Sequence, residues 1–210
     1  MGRAGVGAAV RAYAVDVFDL RGPAPRPGGP LVIVAVAEEA QAFAHHLPTL
    51  VTGVGKVRAA CATTWAALTH SPGIILNVGT AGALRTGSLA ADVVHEIGRV
   101  IQHDLNGRAI AALTGDDPAP PIVLAGVGPT LATGDRFISS PEARDRLAGH
   151  ADLVDMEGYA VAASARLLHV PVRLAKIISD DAGHGAAQTW SEALEAASHR
   201  LADWLRAALP

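Results

Sequence analysis

Two short acidic clusters offer chemistry. Asp155-Met156-Glu157 stands in front of a small-residue helical segment from about Gly158 to Leu168, and Ser179-Asp180-Asp181 closes an apolar run from Val172 to Ile178. Bounded by Pro171 and the turn Ala182-Gly183-His184-Gly185, that run is patterned as a fully covered parallel strand. Open α/β sheets bind ligands outside the carboxyl ends of such strands, so Asp180 sits where chemistry is expected. Glu157 opens the preceding helix and faces the same cleft. Two acids at the rim of one sheet suit proton transfer combined with recognition of hydroxyl groups. A plainer assignment stays open, in which Asp180 caps a helix and Glu157 pairs with an arginine.

The elements that must position these acids follow in order. Residues 1–29 end in RGPAPRPGGP, which holds neither a helix nor a central strand, and read as a flexible extension with a short edge strand near Tyr13 to Phe18. The domain proper, 30–210, begins with a central strand, Leu31 to Val36, and a helix opening at Ala37-Glu38-Glu39. Acids in a first helical turn suit the helix dipole whatever else they do. A strand at Thr49 to Thr52 runs into Gly53-Val54-Gly55-Lys56 and a helix from Val57 to Thr69. This is the general cradle for an anion or nucleoside, without the spacing of a dinucleotide fingerprint or a P-loop. A strand at Gly73 to Val78 leads into a second small-residue turn, Gly79-Thr80-Ala81-Gly82, whose bare backbone lets a flat ligand approach. Strands at Asp92 to Gln102 and Ile122 to Gly126, the segment Leu131 to Ile138 and a helix at Pro141 to Gly149 precede the acidic unit. The closing helix places Trp190, Leu194, Ala197, Leu201, Leu205 and Ala208 on one face, a stripe for core or a subunit interface.

Strands alternating with helices predict an α/β protein, a single-domain three-layer α/β/α sandwich on a mixed, mostly parallel sheet. Half of the residues are hydrophobic but only 4% are aromatic, so the core is aliphatic. A net charge of −3 with scattered arginines excludes the footprint of a nucleic-acid binder. No apolar run approaches the roughly 20 residues that span a bilayer, and Arg11 and Asp16 interrupt the apolar N-terminal stretch, unlike a secretion signal. The single cysteine, Cys61, lies among alanines and is expected in the core, in keeping with a reducing, cytoplasmic setting. The nine histidines form no metal-binding pattern, so neither a metal nor another cofactor is expected.

Taken together the motifs resemble the nucleoside phosphorylase/nucleosidase family, and within it the methylthioadenosine/S-adenosylhomocysteine nucleosidases. The pieces stand in the family's order: Val-Ala-Val-Ala-Glu-Glu (34–39), Gly-Val-Gly-Lys-Val (53–57), Asn-Val-Gly-Thr-Ala-Gly (77–82), Asp-Val-Val (92–94), His103-Asp104, Thr-Gly-Asp-Arg-Phe-Ile (133–138), Asp-Met-Glu-Gly (155–158) and Ile-Ser-Asp (178–180). The resemblance spans roughly residues 31 to 209 and implies a nucleoside phosphorylase-like fold.

It also implies roles. Asp180 matches the acid that protonates purine N7, a task that burial serves by raising a carboxyl above its usual ~3.9. Glu157 matches the carboxylate that accepts hydrogen bonds from the ribose hydroxyls, and Met156 the side chain packed on the sugar. Phe137 matches the ring stacked on adenine, and the backbone of Ile138 the groups that read the base edge. Thr80 stands where the family has a serine near the attacking water; Gly82 and Ser179 complete the substrate-binding set. Glu39 falls on the water-activating glutamate in a gapless match, whereas a shift of one residue puts Ala40 there and removes the base.

The sequence departs from the family in a shortened stretch between Phe43 and Val51, in Lys176 for an arginine near the catalytic acid, in Gly158-Tyr159 after Met-Glu, and in the second acid Asp181. Met-Glu-Gly also resembles futalosine hydrolases. Phosphate needs cationic partners, and beside the Gly53 and Gly79 loops only Lys56 is close by, which favours water over phosphate as nucleophile. The expected partners are thus a nucleoside, water and a second copy of the chain, with some helix, such as Val57 to Leu68, at a homodimer interface. A catalytically silent nucleoside binder is the alternative from another class; convergence of Glu39, Glu157 and Asp180 on one pocket argues against it, whereas a Glu39 that points to solvent removes the hydrolase reading.

Overall fold

The computed structural model describes residues 18–124 and 126–209. The strands are β1 (Asp19–Arg21), β2 (Pro30–Val34), β3 (Thr49–Val51), β4 (Ile74–Ala83), β5 (Val94–Glu96), β6 (Arg99–Gln102), β7 (Ile122–Val123), β8 (Thr130–Thr133), β9 (Leu153–Asp155) and β10 (Val172–Asp180). The α-helices are α1 (Lys56–His70), α2 (Gly107–Thr114), α3 (Pro141–Ala148), α4 (Gly158–Leu167) and α5 (Ala186–Ala208), with a 3₁₀ turn at Ala37–Ala40. The strands make one mixed sheet in the order β1-β3-β2-β4-β9-β8-β6-β7, with β10 paired to β4 and β5. Long β4 is its spine, parallel to β2 on one side and to β10 on the other.

Alternation along β2 builds the layers. Leu31 and Ile33 point to one face and pack with Leu50, Ala59, Ala62, Ala66, Val161 and Ala165. Val32 and Val34 point to the other and meet Leu76, Val78, Ala175, Ile177, Leu201 and Leu205. One face is therefore covered by α1 and α4 and the other by α5, the expected three layers. Alanines where α1 meets α4 bring the two helices close, so a core poor in aromatic residues still packs densely.

Several expectations are corrected. Residues 18–29 belong to the fold: β1 pairs antiparallel with β3, Phe18 packs on Trp65 at 5.5 Å between ring centroids, and Gly28 N–H donates to Ser71 O. The edge strand is thus Asp19–Arg21, and Tyr13 to Val17 lie outside the described residues. Gly79 to Gly82 are not a turn; β4 runs straight through them. The strand expected over 92–102 breaks at Ile97-Gly98, so that β5 pairs with β10 and β6 with β8. After β2 there is only a 3₁₀ turn, and α2 lies where the sequence signals no helix. The apolar face of α5 is buried as expected at Leu194, Ala197, Leu201 and Leu205. Cys61 is exposed on α1, not buried, because that helix turns Ala59, Ala62 and Ala66 inward and Cys61 outward.

Leu201 is wholly buried between α5 and the sheet. Leu201→Ala is expected to lower unfolding free energy by about 2–5 kcal/mol, measured by urea denaturation.

Candidate active site

The carboxyl ends of β2, β4, β9 and β10 and the first turns of α5 surround a cavity of about 360 Å³. Its walls include Glu39, Thr80, Gly82, Phe137, Met156, Glu157, Ser179 and Asp180. The structure thus brings together eight of the nine residues singled out by sequence, and the three acids face one space. Ile138 is the exception: its side chain packs with Leu84, Ala132, Ala151, Val154 and Ala182, and it does not line the cavity.

Glu39 settles the register of the first motif. The 3₁₀ turn after β2 buries Ala40 in the core under α5 and sends Glu39 to the cavity. Glu39 Oε1 accepts from Thr80 N–H at 2.7 Å and from Thr80 Oγ1 at 2.8 Å. Its Oε2 accepts from Ala35 and Val36 N–H at 3.2 and 3.4 Å. Four donors thus hold both oxygens of a side chain that is only 3% exposed. The glycines of β4 make this possible: a Cβ at Gly79 would stand 2.8 Å from Glu39 Oε1, and one at Gly82 would stand 3.0 Å from Asp180 Oδ1. The bare backbone expected to admit a flat ligand serves first to admit two carboxylates.

Asp180 ends β10. Its Oδ1 accepts from Ala182 N–H at 2.8 Å in a turn two residues on, and its Oδ2 accepts from Ser179 Oγ at 2.8 Å. No helix is capped by it. Burial pushes its carboxyl above the ordinary range; the bonds from Ala182 and Ser179 oppose this and the Asp181 charge adds to it. Glu157 stands at the start of α4 and pairs with no arginine; its Oε1 accepts from Gly55 N–H at 2.9 Å. Burial, with Asp155 beside it, pushes Glu157 up to about 8 despite the pull of Lys176 and Gly55.

Three residues without an assigned role in the sequence turn out to matter. Lys176 interrupts the apolar run of β10, a signal by which it could have been found. Its Nζ sits 3.0 Å from Asp155 Oδ2, with both side chains almost fully buried. Asp155 also accepts from Thr133 Oγ1 at 2.6 Å and from Gly158 N–H at 2.9 Å. Burial pulls the Lys176 ammonium down, but Asp155, Glu157 and Glu39 together raise it above its usual value. The third is Trp190, which lines the cavity and donates its indole N–H to Thr80 Oγ1 at 2.9 Å.

Lys56 is spoken for. Its Nζ pairs with Asp104 and lies 3.5 Å from Asp135, while its backbone N–H donates to Asp135 at 2.8 Å. Asp135 N–H in turn donates to Asp104 at 2.7 Å. This knot ties the Gly53–Lys56 loop to the loops after β6 and β8, and so fixes the Gly55 N–H that holds Glu157. No lysine or arginine is among the described residues that line the cavity. Groups of three or more side chains fit to hold a metal are absent among the described residues. Nor is any helix of the described residues long and apolar enough to cross a membrane.

Comparison with known proteins places this geometry. The profile of the Phosphorylase superfamily matches residues 46–125 and 100–210. The 5′-methylthioadenosine/S-adenosylhomocysteine nucleosidase of Staphylococcus carnosus is 30% identical over 163 residues, 67% of this chain and 71% of that protein. Its namesake from an Exiguobacterium species is 30% identical over 172 residues, 71% of this chain and 73% of that protein. Among solved structures, the Helicobacter pylori nucleosidase of the same name superimposes with a TM-score of 0.75 at 22% identity, covering 86% of this chain and 97% of that one. The futalosine hydrolase of that organism gives 0.75 at 21% identity over 85% and 96%. At these identities the structural likeness concerns the fold.

Lys176→Met leaves Asp155 buried without its counter-charge and is expected to cost about 3–5 kcal/mol of stability, with Lys176→Met/Asp155→Asn recovering part of the loss. Chemical denaturation of the two variants checks this; a single-variant loss below about 1 kcal/mol would contradict the assignment.

Proposed function

On the footing that the chain belongs to the Phosphorylase superfamily, we propose that it hydrolyses the N-glycosidic bond of a 5′-substituted purine nucleoside of the methylthioadenosine/S-adenosylhomocysteine type and releases the free base. The observation that carries this reading is the meeting of Glu39, Glu157 and Asp180 at one cavity, with the partners each task requires.

A purine anion leaves poorly, so the leaving base must be protonated. Asp180, buried and with its carboxyl pushed above the ordinary range, is the acid that delivers a proton to N7. Glu157 and Met156 hold the ribose: the two ribose hydroxyls donate to Glu157 and fix the sugar as C1′ gains oxocarbenium character. Glu39 takes a proton from water as its oxygen bonds to C1′, and the C1′–N9 electron pair passes to the base. Phe137, 45% exposed at the cavity mouth, stacks on the base, and Val54 stands beside the cavity with it. The backbone of Ile138 reads the base edge. Water is the nucleophile because the cations at the Gly53 loop are committed elsewhere: Lys56 to Asp104 and Asp135, and Arg58, whose guanidinium lies against Gly53, to the carbonyl of Thr52.

The working unit is a homodimer in the cytoplasm. The exposed stripe Val57, Cys61 and Leu68 along one side of α1, with exposed Val54 in the loop before it, supports the dimer, and a lone cysteine suits a reducing compartment. Futalosine is the second substrate to test, because Met156-Glu157-Gly158 and the fold of the futalosine hydrolase support it.

Base release from methylthioadenosine, adenosylhomocysteine, adenosine, inosine and futalosine tests the reading. Methylthioadenosine or adenosylhomocysteine is expected to be cleaved best, and Asp180→Asn or Glu39→Gln to lower kcat at least about 10²-fold. Activity is expected to fall as pH rises and Asp180 loses its proton, since the acid works only in its protonated form. A second outcome concerns Glu157, which below about 8 carries a proton in the free protein. Hydroxyl donors favour its ionised form, so nucleoside binding at pH 7 releases protons, read by calorimetry in buffers of different ionisation enthalpy; Glu157→Gln abolishes the release.

A further inference from the structure

Trp190 belongs to α5, whose stripe reads as core or subunit interface, yet its side chain lines the cavity and its Nε1 lies 2.9 Å from Thr80 Oγ1. Thr80 Oγ1 is in turn 2.8 Å from Glu39 Oε1. The chemistry of the three groups permits one assignment of the protons. An indole N–H donates and never accepts, and a threonine hydroxyl has one proton and two lone pairs. Glu39 receives backbone N–H groups on both oxygens, Thr80 on Oε1 and Ala35 and Val36 on Oε2, so it accepts from the hydroxyl as well. The chain of bonds therefore runs from Trp190 to Thr80 to Glu39, and the hydroxyl proton is committed to the carboxylate.

What Thr80 then offers to a neighbour is a lone pair. A water between Thr80 and Glu39 meets acceptors on both sides, must spend its protons on them, and keeps an oxygen lone pair for the sugar carbon. A hydroxyl free to rotate could instead donate to that water and occupy the lone pair that attacks. We propose that Trp190 is a positioning residue for hydrolysis: its N–H locks the Thr80 hydroxyl so that the attacking water meets only acceptors. This rests on the hydrolytic reading given above and assigns to the closing helix a part in the reaction itself.

The test separates the N–H from the ring. Trp190→Phe keeps an aromatic wall, and β-(3-benzothienyl)alanine at position 190 keeps the bicyclic shape while sulfur replaces N–H. Both are compared with wild type, Thr80→Val and Trp190→Phe/Thr80→Val in one assay of base release. Loss of the N–H is expected to lower kcat about tenfold, the rate equivalent of one net hydrogen bond, with KM changed less than about threefold. The double variant is expected to be within about twofold of Thr80→Val alone, because both changes break the same chain. Wild-type kcat in the benzothienyl protein, a change in KM alone, or losses that multiply in the double variant would each overturn the inference and leave Trp190 a wall of the cavity. A wild-type protein that releases no base from any nucleoside would remove the hydrolytic reading itself, and this inference with it.

Discussion

At the edge of the cavity, which Asp155 of β9 helps to line, that carboxylate is ion-paired with Lys176 of β10, and both side chains are almost fully buried. A buried charge is tolerated only when paired and hydrogen-bonded, and this pair is both. Asp155 binds the hydroxyl of Thr133 on β8 and the first N–H of α4, so one carboxylate fastens neighbouring strands to the helix that presents Glu157. The same ammonium lies close enough to Glu157 and Glu39 for each to raise its affinity for a proton. A site that gathers acids under a sheet's rim needs such a positive centre, and here it comes from the one buried cation of β10.

Around that centre the carboxylates are given different environments. Asp180 has two hydrogen-bond donors of its own, yet burial outweighs them and pushes its carboxyl above the ordinary range. Glu39 is gripped by four donors at the end of β2, which suits the accepting role proposed for it. Glu157, held by a single backbone N–H and crowded by Asp155, is the acid whose charge depends on what binds. Division of labour among like groups by environment is how one fold runs acid and base steps together. The glycines of β4 are part of it, since an alanine at 79 or 82 would collide with Glu39 or Asp180.

Much of this was legible in the sequence, for identifiable reasons. Strands buried on both faces read as unbroken apolar runs, which gave β2, β4 and β10, and acids at the ends of such runs gave Glu39, Glu157 and Asp180. The layered fold followed from the alternation of strands and helices. Less legible were features decided by long-range contact. β4 passes through two glycines because carboxylates from other elements fill the space, which no local propensity records. Cys61 looked buried among alanines, but its place on the helix circumference, not its neighbours, determined exposure. Trp190 was read from helical spacing as core or subunit interface, and only the fold reveals that its N–H meets a threonine 110 residues away in sequence. Lys176 stood out only as a departure from the family's arginine, and its pairing with Asp155 on another strand was not legible.

The account turns on water, not phosphate, as the attacking group, in a cavity whose described lining residues include no lysine or arginine. The most direct measurement is the identity of the sugar formed from methylthioadenosine in phosphate buffer, followed by ³¹P NMR until adenine release is complete. The account predicts free methylthioribose, no new phosphorus resonance, and release that proceeds as fully without phosphate as with it. Appearance of a sugar 1-phosphate, with release that stops when phosphate is withdrawn, would contradict it.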